Sequence, residues 1–425
     1  MSAFMLGRAL FLAATLISQP ASAGAGVAKY SGRVSLYPAG SLRAQLSINF
    51  TAAEEDMKSV ELYLNDGLQI TALKCALCRS FKADRARKGA LPGFDFSMPL
   101  VATFRRPLRR NQSVRFEIEY RGRPTPPSED SNRFSPKWVE LNLESLWFPL
   151  EAGERAFRSD LRIELPADYG FTANGEVGGA SGHWHLQQRA GSDDIVLVAA
   201  PHLHRQAVRS NGLTFTLYSG DETSPQQSQQ IAAIAERMLR MFGQWFGQAA
   251  QKSMSLVLNP RREVSYSRVG FISLNMPAGS DADNHFYSTL SHEIAHFWWR
   301  GAPTDTWENW LNEGFAEYSS LMYARATRGE QEFQERIAGL RERTKNRPPI
   351  WGLDRHSRDA YPVLYLKGAL CLYELEQRVG RQQFLKVLAA FAPQSAKSTQ
   401  KFLQLLKEQV SGQASEDFER SLREK

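Results

Sequence analysis

The chain is poor in cysteine and has no long apolar segment after its first residues. Three of its 425 residues are cysteines. A zinc ribbon is excluded, because the single C-x-x-C pair has no second pair to match it. No run of roughly 18 or more apolar residues follows the N-terminus, so the sequence predicts no integral membrane segment there.

Two of the cysteines, Cys75 and Cys78, are neighbours in the sequence. A thioredoxin-like redox pair lies at the start of a helix, whereas this pair follows the strand-like segments 61–65 and 68–70. An oxidising compartment favours a local disulfide that braces a loop, with a free thiol pair as the alternative. The third cysteine, Cys371, is expected to be a small buried apolar residue on a helix.

The N-terminus predicts a cleaved secretory signal peptide over residues 1–23. Arg8 supplies a positive charge, residues 9–17 form a short apolar stretch, and Ala21-Ser22-Ala23 is a small-x-small cleavage site. No cysteine directly follows that site, which argues against a lipoprotein. The expected location is therefore the periplasm or the exterior of the cell.

The formal net charge is +7, and basic residues cluster at 79–88 and 105–110. Charge alone is compatible with nucleic acid, but an exported protein rarely meets that partner, so none is predicted. Anionic envelope components or acidic peptides fit such a surface better. Solvated loops between strands are the simplest interpretation.

Length and patterning predict a multidomain α and β protein. A chain of 425 residues, 42% of them hydrophobic, exceeds one ordinary domain and has ample material for its cores. Residues 24–217 are predicted to form an N-terminal antiparallel β-sandwich-like domain, because turn signals separate short alternating runs. The clearest runs are 43–50, 59–64, 113–120, 160–164 and 195–199.

Residues 218–425 are predicted to form a mainly α catalytic domain. Residues 224–245 have helical periodicity, while 254–258 and 268–274 are predicted strands. The chain after residue 330 is predicted to be helical apart from 347–359, a loop rich in Pro, Gly and aromatic residues. That loop is a candidate to line a substrate cleft.

The most informative segment of the second domain is H-E-x-x-H at residues 292–296. On a helix, His292 and His296 face the same way and can hold one metal ion. The motif is the signature of a zinc site whose glutamate, here Glu293, is the general base. Such a motif also arises by chance on surface helices. Here the preceding segment is apolar with a helical period, and residues 301–303 are expected to end the helix.

A second predicted helix begins near Trp310 and carries Glu313 and Glu317. Catalytic zinc sites use three protein ligands and leave a fourth position open, so Glu313 is the best candidate for the third ligand. Glu317 is either an outer partner of a metal-binding histidine or a solvated charge. One zinc ion is expected, although cobalt or manganese also suits two histidines and a glutamate. The other histidines have no spacing that demands a metal.

Three motifs together resemble peptidase family M1, the aminopeptidase N and leukotriene A4 hydrolase group of gluzincins. They are 292–296 with Trp298, Trp310-Leu311-Asn312-Glu313-Gly314-Phe315-Ala316, and Tyr365-Leu366-Lys367-Gly368-Ala369. The resemblance covers about the last third of the chain. It implies a thermolysin-like zincin domain, zinc on His292, His296 and Glu313, and a peptide substrate.

The resemblance also implies two catalytic residues. Glu293 is expected to be the general base, and Tyr365 is expected to stabilise the oxyanion as a hydrogen-bond donor. Tyr361 and Tyr373 compete with Tyr365 by position, and the Lys-Gly pair that follows Tyr365 favours it.

The sequence departs from the family in three ways. The 16 residues 297–312 separate His296 from Glu313, two fewer than in most members. The helical C-terminal domain of larger members is expected to be missing, because the sequence ends at residue 425, about 60 residues after Tyr365. The glutamate of the family's G-x-M-E-N motif, which binds a free amino terminus, is not found at the expected place, 264–268.

The sequence therefore predicts an exported zinc-dependent peptidase, an M1-like aminopeptidase of atypical specificity. The alternatives are an endopeptidase, a zinc hydrolase of a non-peptide bond, and a non-catalytic member that binds peptides or envelope components. The intact base, ligand candidates and tyrosine favour the enzyme. Oligomeric state is not predicted.

Overall fold

The computed structural model describes most of the chain. The described residues are 28–126, 134–151, 156–210, 212–249, 252–260, 265–276, 283–304, 306–355 and 357–424. The predicted signal peptide at 1–23 lies outside them. No helix in the described ranges is both long and apolar enough to cross a membrane.

The N-terminal half consists of strands, as the alternating runs predict. In chain order the strands are β1 (Ala28–Tyr37), β2 (Ser41–Thr51), β3 (Met57–Asn65), β4 (Leu68–Lys74), β5 (Cys78–Ala83), β6 (Ser97–Leu108), β7 (Ser113–Gly122), β8 (Val139–Leu141), β9 (Leu150–Glu151), β10 (Phe157–Glu164), β11 (Tyr169–Ala173), β12 (Glu176–Ala180), β13 (His183–Ser192) and β14 (Leu197–Pro201). All five predicted runs coincide with strands, although the last one begins two residues later than expected.

These strands form three sheets. The largest has the order β12-β13-β10-β1-β2-β7-β4, and the others have the orders β5-β6-β3-β9 and β11-β14-β8. Neighbouring strands are antiparallel, except β1 and β10, which run parallel with Ala28 opposite Phe157. Alternate side chains enter the core: on β2, Leu42, Leu46 and Phe50 are buried. The predicted antiparallel, sandwich-like class is confirmed.

Five further strands follow along the chain: β15 (His204–Ser210), β16 (Leu213–Ser219), β17 (Ser253–Asn259), β18 (Tyr266–Arg268) and β19 (Phe271–Asn275). Strand β19 lies parallel to β17 and antiparallel to β18. The prediction of one strand over 268–274 is wrong, because a turn at Val269 and Gly270 divides it. Gly270 has φ +74°, which only glycine adopts readily.

The C-terminal part is helical, as predicted. The helices are α1 (Pro225–Phe246), α2 (Asn284–Ala295), α3 (Trp310–Arg328), α4 (Glu330–Thr344), α5 (Gly368–Val379), α6 (Arg381–Phe391), α7 (Thr399–Gln409) and α8 (Gly412–Arg423). A π-helical segment, Tyr361–Lys367, leads into α5. Helix α1 buries the predicted face, including Ile231, Met238 and Phe242.

The chain divides into two compact units that interleave in the sequence. The first comprises Met1–Arg205, Leu217–Ser224 and Ser255–Ser280, and the second comprises Gln206–Thr216, Pro225–Met254 and Asp281–Lys425. The predicted boundary between residues 217 and 218 lies inside β16. One cut in the sequence therefore does not separate the two units.

Candidate metal centre

Helices α2 and α3 bring the predicted ligand residues together. His292 lies in the last turn of α2, His296 caps its C-terminus, and Glu313 lies in the first turn of α3. Glu313 Oε2 is 3.3 Å from His292 Nε2 and 3.5 Å from His296 Nε2. Three donor atoms from two helices therefore face one point.

Helix α2 ends earlier than predicted. Its last residue is Ala295, whereas the sequence placed the end at 301–303. The backbone continues in tight i→i+3 turns, in which the amides of His296 and Phe297 donate to the carbonyls of Glu293 and Ile294. Such turns commonly close a helix, and here they leave His296 helical with φ −63°.

Glu293 lies inside the same buried group. The ligand atoms of His292, Glu293 and His296 all lie within 4.8 Å of one another. Glu293 Oε2 is buried and has no hydrogen-bond partner in the described part of the chain. Glu313 Oε2, in contrast, faces both imidazoles. The geometry therefore suits Glu313 to a ligand role and leaves an oxygen of Glu293 available to another molecule.

The second nitrogen of each imidazole is held by a partner. His292 Nδ1 is 3.1 Å from Glu317 Oε2, and His296 Nδ1 is 3.0 Å from the carbonyl oxygen of Trp299. A proton on each Nδ1, donated to these oxygens, leaves both Nε2 lone pairs for a metal. Glu317 thus lies where an outer partner of the histidine is expected.

The charges of the cluster depend strongly on one another. Burial alone lowers the pKa of His292, but hydrogen bonds with Glu313 and Glu317 outweigh it and raise the pKa to about 10. Burial opposes ionisation of Glu313 too, but the positive charge of His296 and hydrogen bonds with both histidines lower its pKa below the usual range. Three carboxylates share the pocket with two imidazoles, so the pocket suits a cation.

Tyr365 is the predicted tyrosine that stacks on this cluster. Its ring lies parallel to that of His292, with 5.9 Å between centroids and 7° between planes. Burial, and then the charge of Glu313, raise the pKa of the Tyr365 phenol well above its usual value, so the group stays protonated and can donate. The ring of Tyr361 lies beside that of Tyr365, with 5.0 Å between their centroids. Tyr373 instead packs on Phe333.

Comparison with known proteins agrees with this geometry. The profile of the peptidase family M1 domain matches residues 271–420, which include the whole cluster. The resemblance inferred from three short motifs is thereby confirmed. Two imidazoles with one carboxylate are a donor set that catalytic zinc sites use, so the residues present fit one zinc ion.

Two relatives align with part of the chain. Aminopeptidase M1-B of Oryza sativa subsp. japonica is 31% identical over 144 residues, which are 31% of this chain and 16% of that protein. Human endoplasmic reticulum aminopeptidase 2 is 29% identical over 124 residues, 26% of this chain and 13% of that protein. The aligned segments thus span less than a fifth of these relatives.

Solved structures match almost the entire chain. The M1 zinc metallopeptidase of Deinococcus radiodurans superposes with a TM-score of 0.66 over 95% of both chains, at 21% identity. The same metallopeptidase, as a mutant bound to a Tyr-Ser-Ala substrate, gives a TM-score of 0.64 at 21% identity over 95% of both chains. At this identity the likeness establishes the fold, and it confirms the predicted succession of a β-rich and a helical zincin part.

Two glycines of the M1 motifs allow the ligand helix and the tyrosine segment to meet. A Cβ atom on Gly314 would lie 3.0 Å from the Cα of Gly368 and 3.1 Å from the carbonyl oxygen of Leu364. A Cβ atom on Gly368 would lie 3.2 Å from the Cα of Gly314. All three distances are tighter than ordinary contact, so a side chain at either position would push α3 and the π-helical segment apart by a few tenths of an ångström. Glycine inside a helical pattern is the sequence signal that points to such an approach.

The sequence analysis assigned no role to two further residues near the cluster. Asn312 joins α3 to the loop after α2, because its amide nitrogen donates to the carbonyl of Ala302 (3.0 Å) and its amide oxygen accepts from the Ala302 amide (3.2 Å). Arg355 donates to the carbonyl of Thr304 (3.3 Å), and its charge acts on Tyr365. Arg355 lies in the loop 347–359, which the sequence marks as a cleft candidate.

Proposed function

We propose that this protein is an exported zinc-dependent peptidase that hydrolyses short peptides with atypical specificity. The observation that carries the proposal is the convergence of His292 Nε2, His296 Nε2 and Glu313 Oε2. Beside them lies Glu293, whose Oε2 has no hydrogen-bond partner among the residues that the structure describes. This is an arrangement of three ligands and one base.

His292, His296 and Glu313 would hold the zinc ion, in keeping with their donor types and short separations. When bound, zinc supplies a Lewis acid that acidifies water and polarises the scissile carbonyl. Glu317 positions the imidazole of His292 through its hydrogen bond at Nδ1. Such outer partners fix the orientation of the ring and its tautomer.

Glu293 is the general base of the proposed reaction. Its Oε2 accepts a proton from the attacking water and later delivers it to the leaving amine. The absence of any hydrogen-bond partner for this buried oxygen among the described residues supports the role, because a base must be free to bind the water. Removing a general base typically lowers the rate by about two to four orders of magnitude.

Tyr365 is the proposed donor to the oxyanion. The phenol is protonated in its buried position and lies against the ring of His292. A hydrogen bond from its O–H to the carbonyl oxygen strengthens as negative charge develops there, which lowers the barrier.

Specificity is where this chain departs from its family. No glutamate lies at 264–268, where the amine-binding glutamate of the aminopeptidases is expected. The arginine at the end of this segment, Arg268, has 13% of its side chain exposed and pairs with Glu144 (2.7 Å) and Asp194 (2.7 Å). We infer that a free amino terminus is not held by the usual carboxylate, which makes cleavage within peptides the second candidate activity. The tripeptide bound to the Deinococcus enzyme supports short peptides as the substrate class.

The test is hydrolysis of two matched peptides, one with a free and one with an acetylated N-terminus. Wild type and Glu293→Gln are compared, with zinc content measured in both. The proposal expects cleavage by wild type and loss of it in Glu293→Gln with zinc retained. Cleavage of only the free peptide identifies an aminopeptidase with a substitute for the glutamate, and cleavage of the acetylated peptide identifies an endopeptidase. If zinc-loaded wild type cleaves neither, a non-peptide hydrolase or a non-catalytic binding protein becomes the better account.

Export rests on the N-terminal sequence alone. The periplasm or the exterior of the cell is the proposed location. N-terminal sequencing of the mature protein from separated cell fractions checks this, and the expected first residue lies near Gly24. An uncleaved chain in the cytoplasmic fraction contradicts export without affecting the proposed chemistry.

A further inference from the structure

A turn closed by a disulfide presents an apolar side chain on the surface of the first unit. Cys75 and Cys78 are bonded, which confirms the predicted local disulfide, and the amide of Cys78 also donates to the carbonyl of Cys75 (3.2 Å). Within this turn Leu77 is 41% exposed. It is one of three large hydrophobic side chains that are exposed in the described ranges. Because the turn is closed covalently, the leucine cannot easily withdraw from solvent.

Three arginines lie close to this leucine along the backbone. The backbone amide of Arg105 donates to the carbonyl of Leu77 (3.0 Å), and its Nε donates to the carbonyl of Cys78 (3.1 Å). Arg106 follows on β6, and Arg79 follows Cys78 on β5, which pairs with β6. All three arginines are exposed. We define the basic tip as Leu77, Arg79, Arg105 and Arg106.

The arginines of the basic tip differ from nearby basic residues in their ion pairing. None of its three arginines forms an ion pair with any residue that the structure describes. The contrast lies nearby in the sequence, where Arg87 pairs with both Glu61 and Asp84, and Lys88 pairs with Asp66. A surface that concentrates unneutralised charge favours an anionic partner.

We propose that the basic tip is a docking surface for membranes that contain anionic lipid. Such a membrane offers both features that the tip matches: negative headgroups for the arginines and an apolar layer for Leu77. Nucleic acid offers the charge without the apolar layer, and its single strands are bound by exposed aromatic rings, which the basic tip does not contain. With one inserted leucine and three charges, the attachment would be reversible.

Vesicle cosedimentation of the full chain tests this proposal. The vesicles contain phosphatidylcholine alone or phosphatidylcholine with phosphatidylglycerol. Wild type is expected to sediment with the anionic vesicles and to stay in solution with the neutral ones. Arg79→Gln combined with Arg106→Gln is expected to lower partitioning about 25-fold, since each cation near an anionic surface contributes about a fivefold change. Neither side chain bonds to another residue in the described part of the chain, so this variant should fold.

Leu77→Ser tests the contribution of the apolar side chain to vesicle binding separately from that of the arginine charges. It is expected to lower partitioning several-fold, and the loss should persist when salt weakens the arginine contribution. The matched control is Arg158→Gln with Arg162→Gln, which removes the same charge from exposed positions of β10 and should bind as wild type does. Thermal unfolding of every variant confirms that each is folded.

Four results would overturn the proposal. They are absence of binding to anionic vesicles, equal binding to neutral ones, an equal loss in the β10 control, and a Leu77→Ser variant that binds like wild type. Displacement from the vesicles by a single-stranded oligonucleotide or by an acidic peptide, at lower concentration than by free phosphatidylglycerol, would also reject lipid as the partner. Peptidase activity of these variants is expected to be unchanged, so this outcome is separate from that of the proposed function.

Discussion

Helix α3 takes part in two buried charged clusters that are built in opposite ways. In its first turn, Glu313 joins the metal cluster, which we define as His292, Glu293, His296, Glu313 and Glu317. Further along, Tyr318 and Arg325 reach the Glu376 cluster, defined as these two residues with Glu376 and Arg381. Glu376 accepts from the Tyr318 hydroxyl and from Arg325 (2.6 Å) and Arg381 (3.2 Å).

The two clusters differ in whether their charges are balanced from within. In the Glu376 cluster, one carboxylate faces two guanidinium groups, so it is neutralised by the chain itself. In the metal cluster, three carboxylates share a pocket with two imidazoles, and Glu293 Oε2 has no hydrogen-bond partner among the described residues. A buried carboxylate without a counter-charge is costly. The comparison therefore indicates that the Glu376 cluster is neutralised from within, whereas the metal cluster is suited to a cation from outside the chain.

Removing Glu313 should have the largest effect of any single change. Glu313→Ala leaves two histidines for the metal, fewer than the three protein ligands of a catalytic site. Zinc measured by elemental analysis should fall far below one ion per chain, and peptide hydrolysis should fall to background. The control is Glu342→Ala, an exposed carboxylate on α4. Full zinc occupancy in Glu313→Ala would contradict the ligand assignment.

Tyr365→Phe should separate catalysis from metal binding. Losing one donor to an oxyanion costs roughly two to three orders of magnitude in rate. The expected result is a fall of that size in kcat with KM and zinc content close to wild type. Tyr373→Phe, in the helix that follows, is the matched control and should keep its activity. An active Tyr365→Phe enzyme would remove Tyr365 from the proposed mechanism.

Glu376→Gln should act on stability and spare the metal. It removes the buried counter-charge of Arg325, whose side chain is 15% exposed. This change is expected to lower the free energy of unfolding by about 3 kcal/mol. Urea unfolding measures this loss, with Glu342→Gln as the exposed control. Zinc content of the folded variant should match wild type. If Glu376→Gln lost zinc but kept the free energy of unfolding of wild type, the Glu376 cluster would support metal binding and not stability.

Glu317→Gln should have a smaller effect within the metal cluster. Outer partners of metal-binding histidines typically contribute about 10–100-fold in metal affinity. Titration with a competing chelator should give a weakening in that range, with hydrolysis retained once the variant is saturated with zinc. An unchanged affinity would favour the alternative that Glu317 is a solvated charge.

The exposed pair of His185 and Asp160, in the first unit, should give the smallest effect on stability. A hydrogen bond from His185 lowers the pKa of Asp160 below its usual range. A lowered carboxyl pKa adds stability above the unfolded-state value, and this stability is lost as pH falls through the folded-state value. Because both side chains are largely exposed, Asp160→Asn should cost less than about 1 kcal/mol at neutral pH. Urea unfolding of wild type and Asp160→Asn at neutral and at strongly acidic pH measures the difference in their free energies of unfolding, which should disappear in acid. A loss at neutral pH as large as that expected for Glu376→Gln would contradict the distinction between exposed and buried pairs.

The sequence predicts those parts of the molecule that depend on local pattern. The spacing of His292 and His296 needs only a helical turn to bring two imidazoles together, and motif resemblance was enough to add Glu313 and Tyr365. Alternating apolar residues predicted the strands of the first unit, because this pattern too depends only on the local geometry of the backbone. Two cysteines separated by two residues predicted their own disulfide.

Features that depend on distant parts of the chain were not predicted. The units interleave because the segment 206–216 belongs to the second unit although it follows part of the first, and 255–280 belongs to the first unit although it follows part of the second. The end of α2 at Ala295 and the contact of Gly314 with Gly368 depend on how helices pack. Arg355 carries no motif, and only its position in the folded chain relates it to Tyr365.

The most direct test of the metal cluster is anomalous X-ray diffraction at the zinc absorption edge from crystals of the zinc-loaded wild-type protein. We expect one strong peak, bounded by His292 Nε2, His296 Nε2 and the carboxylate of Glu313, with Glu293 close to it but not a ligand. A peak elsewhere in the molecule, or zinc coordinated without Glu313, would contradict the central claim that α2 and α3 together build the zinc site.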